Sequence, residues 1–256
     1  MTLEFPVLLR TIDERAAAFR AVVASAPSLA AQVPTCPEWT LLDLVRHLGE
    51  VHRRWAATVT AGPADARPAP TEGAAAVPQE REALLAWSAE STEQLLGALR
   101  DSGPDRDCWT WWGGSQSPQT CGAVARHQVQ EAAVHTYDAQ LTVGSPEPLP
   151  EQAALDGVDE FLSTCCSGPD AWPHKPCAVD YRATEGRSWR LTLTAHGTSA
   201  TPLPAPGKTP TEADATLRGT ASDLVLALYA RIPVNSLEVE GDGHLFDLLL
   251  AWDPDE

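Results

Sequence analysis

Glu131 and His135 stand four residues apart in the segment Arg126-His127-Gln128-Val129-Gln130-Glu131-Ala132-Ala133-Val134-His135-Thr136-Tyr137-Asp138-Ala139. On an α-helix that spacing puts a carboxylate and an imidazole on one face, about one turn apart. Two such groups can grip one cation, and a histidine from a neighbouring helix would complete a three-ligand site. Three protein ligands leave a coordination position open, which separates a catalytic site from a structural one. A second segment, Leu41 to Trp55, offers His47 and His52. Five residues separate them, an offset of about 140° on an ideal helix, so they cannot face the same point. Spacing alone chooses neither. His127, eight residues before His135, lies about 80° away around the same helix. Asp138 is placed to support His135 from behind. The competing account of an isolated helical Glu/His pair is a half-buried surface contact.

These residues need helices to carry them, and the N-terminal half supplies the pattern. Leu8, Ile12, Ala16, Phe19 and Val23 recur at a spacing of three to four between Val7 and Val23, one buried helical stripe. Val33-Pro34-Thr35-Cys36-Pro37-Glu38-Trp39 follows, and its two prolines favour extended backbone. Thr40, with Asp43 three residues on, reads as the N-cap of a second helix that runs to about Val59. Residues 62–78, rich in Pro, Ala and Gly, form an exposed connector. Further helices are expected over Glu80 to Leu99, Thr120 to Val143 and Glu151 to Thr164. The loop between Ser102 and Pro118 holds Trp109, Trp111 and Trp112 beside Gly113-Gly114.

Near Ser167 the texture changes. Cys177 to Thr184 and Ser188 to His196 alternate polar and apolar residues, as strands do. Asp214 to Arg218 and Ser236 to Glu240 read as short strands, with helices over Ala221 to Arg231 and His244 to Trp252. The fold class is therefore mostly α with α+β: a helical bundle over 1–166, then a smaller α+β domain over 167–256.

The chain of 256 residues carries 18 basic and 35 acidic side chains, a formal net charge of −17. Such a surface repels phosphate backbones and anionic membranes, so nucleic acid and membrane are not expected partners. No apolar run reaches the roughly 20 residues that cross a bilayer, and Met1-Thr2-Leu3-Glu4-Phe5-Pro6 lacks the pattern of a secretion signal. The expected location is the cytoplasm. Its six cysteines form no C-x-x-C pair, and reduced thiols packed as small apolar residues are expected. His174, His196 and His244 have no metal-ligand spacing and read as structural.

Val33 to Thr40, Leu44-Val45-Arg46-His47-Leu48-Gly49 and Val51-His52 together resemble the start of the mycothiol-dependent maleylpyruvate isomerase family, among the DinB-like metal-binding four-helix bundles. Trp109-Thr110-Trp111, Arg126 and Glu131-Ala132-Ala133-Val134-His135 with Asp138 are similar to its second signature. Leu224 to Arg231 and Leu237 to Asp242 resemble its C-terminal domain. The resemblance implies a zinc ion held by two histidines and a glutamate, which fall on His52, Glu131 and His135. His47 is then a packing or supporting residue. It implies Arg231 in the substrate site and mycothiol as the thiol cosubstrate. Thr136-Tyr137 stands where the family often has Arg-Trp, so the substrate contacts there differ. The chemistry implied is zinc activation of the thiol, serving either isomerisation of a conjugated electrophile or S-transfer to it. The alternative is a non-catalytic regulator that uses the same bundle to hold a ligand or partner.

Overall fold

The computed structural model describes residues 2–68, 76–204 and 212–252, so residues 69–75 of the expected 62–78 connector lie outside the described residues. Packing divides the chain into two compact units. The first holds α1 (Phe5–Ser25), β1 (Gln32–Val33), β2 (Cys36–Thr40), α2 (Leu41–Ala61), α3 (Arg81–Ser102) and α4 (Cys121–Thr142). All five residues of the predicted α1 stripe are buried. Helix α1 packs along α4 and α2 along α3, while α1–α3 and α2–α4 contacts close the bundle.

Two local devices set α2. Thr40 and Asp43 form a complete capping box at its N-terminus, which satisfies backbone donors that would otherwise be orphaned. Gly49 sets its distance from α3: a Cβ at this position would stand 2.1 Å from Cζ3 of Trp87. Only glycine lets that indole lie against the helix backbone. Arg53 covers the other side of the contact, 5.1 Å above the Trp87 ring, and donates from Nε to Ser91 Oγ at 2.7 Å. The prolines near residue 35 do favour extended backbone, and the structure adds a pairing: β1 and β2 form a short antiparallel hairpin that runs straight into α2.

The second unit contains α5 (Glu151–Thr164), the strands β3 (Cys177–Ala183), β4 (Ser188–Thr194), β5 (Gly197–Pro202), β6 (Ala215–Gly219) and β7 (Glu238–Gly241), and the helices α6 (Ala221–Leu228) and α7 (His244–Ala251). The sheet order is β5-β4-β3-β6-β7; only the β3–β6 pair is parallel. Val179, Tyr181, Trp189, Leu191, Leu193 and Leu217 are among its buried apolar positions. Asp180 and Arg190 are paired in register across β3 and β4, and the guanidinium donates to both carboxylate oxygens at 2.7 and 3.1 Å.

The boundary differs from the expected 166/167. Helix α5 belongs with the second unit, because its packing partners are α6 and β5; the division falls at Leu149/Pro150, and residues 114–118 also group with the second unit. The partner that decides this lies some seventy residues downstream, out of reach of local pattern. Among the described residues, no helix is long and apolar enough to cross a membrane.

Candidate metal centre

Helices α2 and α4 bring three side chains to one point. His47, Glu131 and His135 each offer a ligand atom, and these atoms all lie within 4.8 Å of one another; among the described residues this is the only such group. Glu131 Oε2 is 3.3 Å from His135 Nε2 and 3.8 Å from His47 Nε2. That oxygen is buried, yet it makes no acceptable hydrogen bond. The donors converge without satisfying one another. A tetrahedral zinc with bonds of about 2.0–2.1 Å needs ligand atoms about 3.3 Å apart. The Glu131–His135 separation already meets that value, and His47 stands about half an ångström beyond it from Glu131. A carboxylate and two imidazoles are an ordinary zinc donor set, so the residues fit the ion.

His135 is held from behind. Asp138, completely buried, places Oδ2 2.9 Å from His135 Nδ1. A carboxylate only accepts, so Nδ1 carries a proton, which leaves Nε2 as the ring nitrogen that would give its lone pair to a bound cation. Thr35, in the turn of the hairpin, donates to the other Asp138 oxygen at 2.6 Å. Trp39, from β2, lies 4.6 Å from the His47 ring and 6.3 Å from that of His135, and the two imidazoles meet edge to face at 4.9 Å. The Val33-to-Thr40 segment thus does three jobs: Thr35 holds Asp138, Trp39 walls the imidazoles, and Thr40 caps α2.

Electrostatics follow from this packing. Burial alone would raise the pKa of Glu131, but the neighbouring imidazoles of His135 and His47 outweigh it and hold the carboxyl well below its usual range. For His135, burial acts to lower the pKa, and the adjacent carboxylates of Asp138 and Glu131 more than offset this, lifting it to about 9. The site opens on the His47 side, whose side chain keeps 30% of its surface exposed against 9% for His135.

His52, the ligand implied by resemblance, is not in this group. With His47 turned toward α4, the 140° offset turns His52 toward α3 and the bundle interior. There its Nδ1 lies 3.3 Å from Thr92 Oγ1, which also receives Arg20 Nη1 at 3.1 Å. Burial lowers the pKa of His52 to about 4 despite the attraction of Glu131, so it sits there neutral. The second-helix donor near Glu131 and His135 is His47. The resemblance had pointed to His52; the structure brings His47 to the pair instead, because of the rotation of α2 about its own axis.

His127 reaches back to the site, with Nε2 3.9 Å from Glu131 Oε1. It also stands within 5.3–6.4 Å of the rings of Trp55, Trp111 and Trp112. An i, i+4 relation to Glu131 was the available signal. Arg231 belongs to the second unit, at the end of α6. Its N–H closes onto Leu226 O at 2.7 Å and that of Ala230 onto Ala227 O at 3.0 Å, a Schellman turn in which Ala230 takes the left-handed conformation at φ 56°.

The family-level comparisons agree on one relation. A model of the mycothiol maleylpyruvate isomerase N-terminal domain matches residues 9–140, and one of the C-terminal domain of the same family matches residues 152–248. The chain belongs to the mycothiol-dependent maleylpyruvate isomerase family. It is an enzyme of that family, with its bundle and α+β domain in the same order. The fold is similar to crystal structures of the mycothiol-dependent maleylpyruvate isomerase and of a histidine-to-alanine variant of it. Each aligns with a TM-score of 0.55 at 12% identity, covering 94% of this chain and 95% of the other. No curated relative matches by sequence.

Proposed function

We propose that this enzyme binds zinc through His47, Glu131 and His135 and uses mycothiol to isomerise, or to receive on its sulfur, a small conjugated electrophile. The observation that carries the reading is the convergence of those three donor atoms within 4.8 Å in a chain of this family. Zinc bound there would lower the pKa of an incoming thiol and keep it as thiolate, the nucleophilic form.

The chain's own residues supply the rest. Glu131 is anionic and offsets cationic charge. Asp138 fixes the tautomer of His135 and Thr35 fixes Asp138, so the donors are oriented before any ligand arrives. The exposed flank of His47 is the side by which a thiol enters. Arg231, matched to the arginine of the family's substrate site, is assigned to an anionic group of the electrophile. A thiol sulfur that adds to a conjugated double bond leaves a single bond free to rotate; expelling the thiol restores the double bond in the other geometry. If the sulfur stays attached, the outcome is S-transfer.

The test pairs metal analysis with turnover. Purified protein is expected to hold one zinc per chain and to convert maleylpyruvate only when mycothiol is present, as followed by chromatography. Mass spectrometry of the same mixtures reports S-adducts. A folded protein that takes up no zinc, or turnover indifferent to chelation and to Glu131→Ala, overturns the reading. Ligand-dependent stabilisation without turnover would instead support the regulator.

A further inference from the structure

We infer that Trp111, backed by His127 and Trp112, is a stacking platform for the planar, conjugated part of the electrophile. The inference rests on the zinc–thiol reading of the neighbouring centre and adds to it a residue that contacts the electrophile. Trp111 is 50% exposed, whereas Trp55, Trp112 and His127 are buried. The exposed indole meets Trp112 edge-on at 5.2 Å and His127 at 5.8 Å, and Trp112 rests on Trp55 at 5.5 Å. A half-exposed ring on a buried aromatic base offers aromatic surface that does not have to be ordered first.

The base is anchored by backbone. Trp109 N–H bonds to Gly62 O at 3.2 Å, Cys108 N–H to Gln119 O at 3.1 Å and Cys121 N–H to Arg106 O at 2.9 Å, which clamps the segment at both ends. The platform is also continuous with the candidate centre: the same His127 that backs Trp111 stands 3.9 Å from Glu131 Oε1. Trp111 is therefore joined through one side chain, His127, to the carboxylate that would help to hold the metal. Flat molecules stack on an indole face, while saturated chains of equal length gain only general apolar contact. Trp111 would thus favour the conjugated electrophile of that reading over an alkyl one.

Ligand-observed NMR titration tests this with sorbate, a planar dienoate, against hexanoate, its saturated counterpart. Sorbate is expected to bind at least about 3-fold tighter than hexanoate, and Trp111→Ala to weaken sorbate about 3–10-fold while leaving hexanoate nearly unchanged. Trp111→Phe should retain sorbate binding within about 2-fold, which keeps the test valid if the alanine variant is perturbed. Equal binding of the two acids, or a Trp111→Ala variant with wild-type sorbate affinity, overturns the inference. The same titration on Glu131→Gln separates the two readings. Sorbate preference retained in a protein whose wild type takes no zinc sinks only the metal reading; zinc binding without sorbate preference sinks only the platform.

Discussion

Replacing the two histidines of α2 one at a time distinguishes a ligand from a core residue. His47→Gln removes one of three donors that already stand within 4.8 Å of one another. Changing a residue that merely supports a ligand costs about 10–100-fold in metal affinity. Loss of a ligand itself is therefore expected to cost at least about 100-fold, or about 2.7 kcal/mol. Because His47 is partly exposed, the fold should tolerate the change. His52→Gln has the opposite signature. It disturbs the contact to Thr92 Oγ1 and thereby the seat of Arg20, a loss of about 1–2 kcal/mol. For a unit of this size, that lowers Tm by about 2–4 °C per kcal/mol. Zinc affinity should stay within about 3-fold of wild type. The assay is competition for zinc against a chromophoric chelator, with mass-spectrometric metal quantification after dialysis and a circular dichroism melt of each variant. A His52→Gln protein that folds but loses zinc, beside a His47→Gln protein that keeps it, would refute the geometric assignment and restore the one made by resemblance.

Asp138→Asn should weaken zinc about 10–100-fold, because the amide no longer fixes the proton on His135 Nδ1; chelator competition reads it, and wild-type affinity would remove Asp138 from the site. Gly49→Ala is expected to destabilise by about 1–3 kcal/mol, since the new methyl would meet Trp87 Cζ3 at 2.1 Å; a denaturant midpoint equal to wild type would contradict the packing. Ala230→Gly should stabilise by about 0.5–1 kcal/mol by relieving the left-handed alanine at φ 56°, visible as a higher midpoint in urea. His52 titrates at about 4 in the folded chain and near 6.5 when unfolded. Between those values the unfolded chain binds a proton that the folded chain does not, so stability rises with pH. The contribution is complete above about pH 6.5 and lost as pH falls toward 4, on the order of 3 kcal/mol in all. In His52→Gln the acid limb of the stability profile should flatten by that amount; an unchanged limb would show that His52 is not buried neutral.

How much of this was legible beforehand depends on how far away the deciding contact lies. The α1 stripe from Leu8 to Val23 and the Thr40/Asp43 capping box are local, and both stand as read. So do the bounds of α5, Glu151–Thr164, and the alternation that marks β3 and β4. Strand β5 was missed because Gly197-Thr198-Ser199-Ala200-Thr201-Pro202 buries only Thr198 at the sheet edge and shows no apolar alternation. Glu131 and His135 were readable as a pair because one helix carries both. The choice between His47 and His52 was not, because it depends on the rotation of α2 about its axis. That rotation is set where Gly49 admits Trp87 of α3, nearly forty residues on, and where Thr40 ends the hairpin. Thr35 and Trp39 could be recognised as a motif, but their work could not. Thr35 acts on Asp138 across 103 residues of sequence, and Trp39 acts on an imidazole from each of two helices. A motif at the start of this chain is thus half of a site completed by α4, and the pattern that names the family is the set of residues that holds the donors in place.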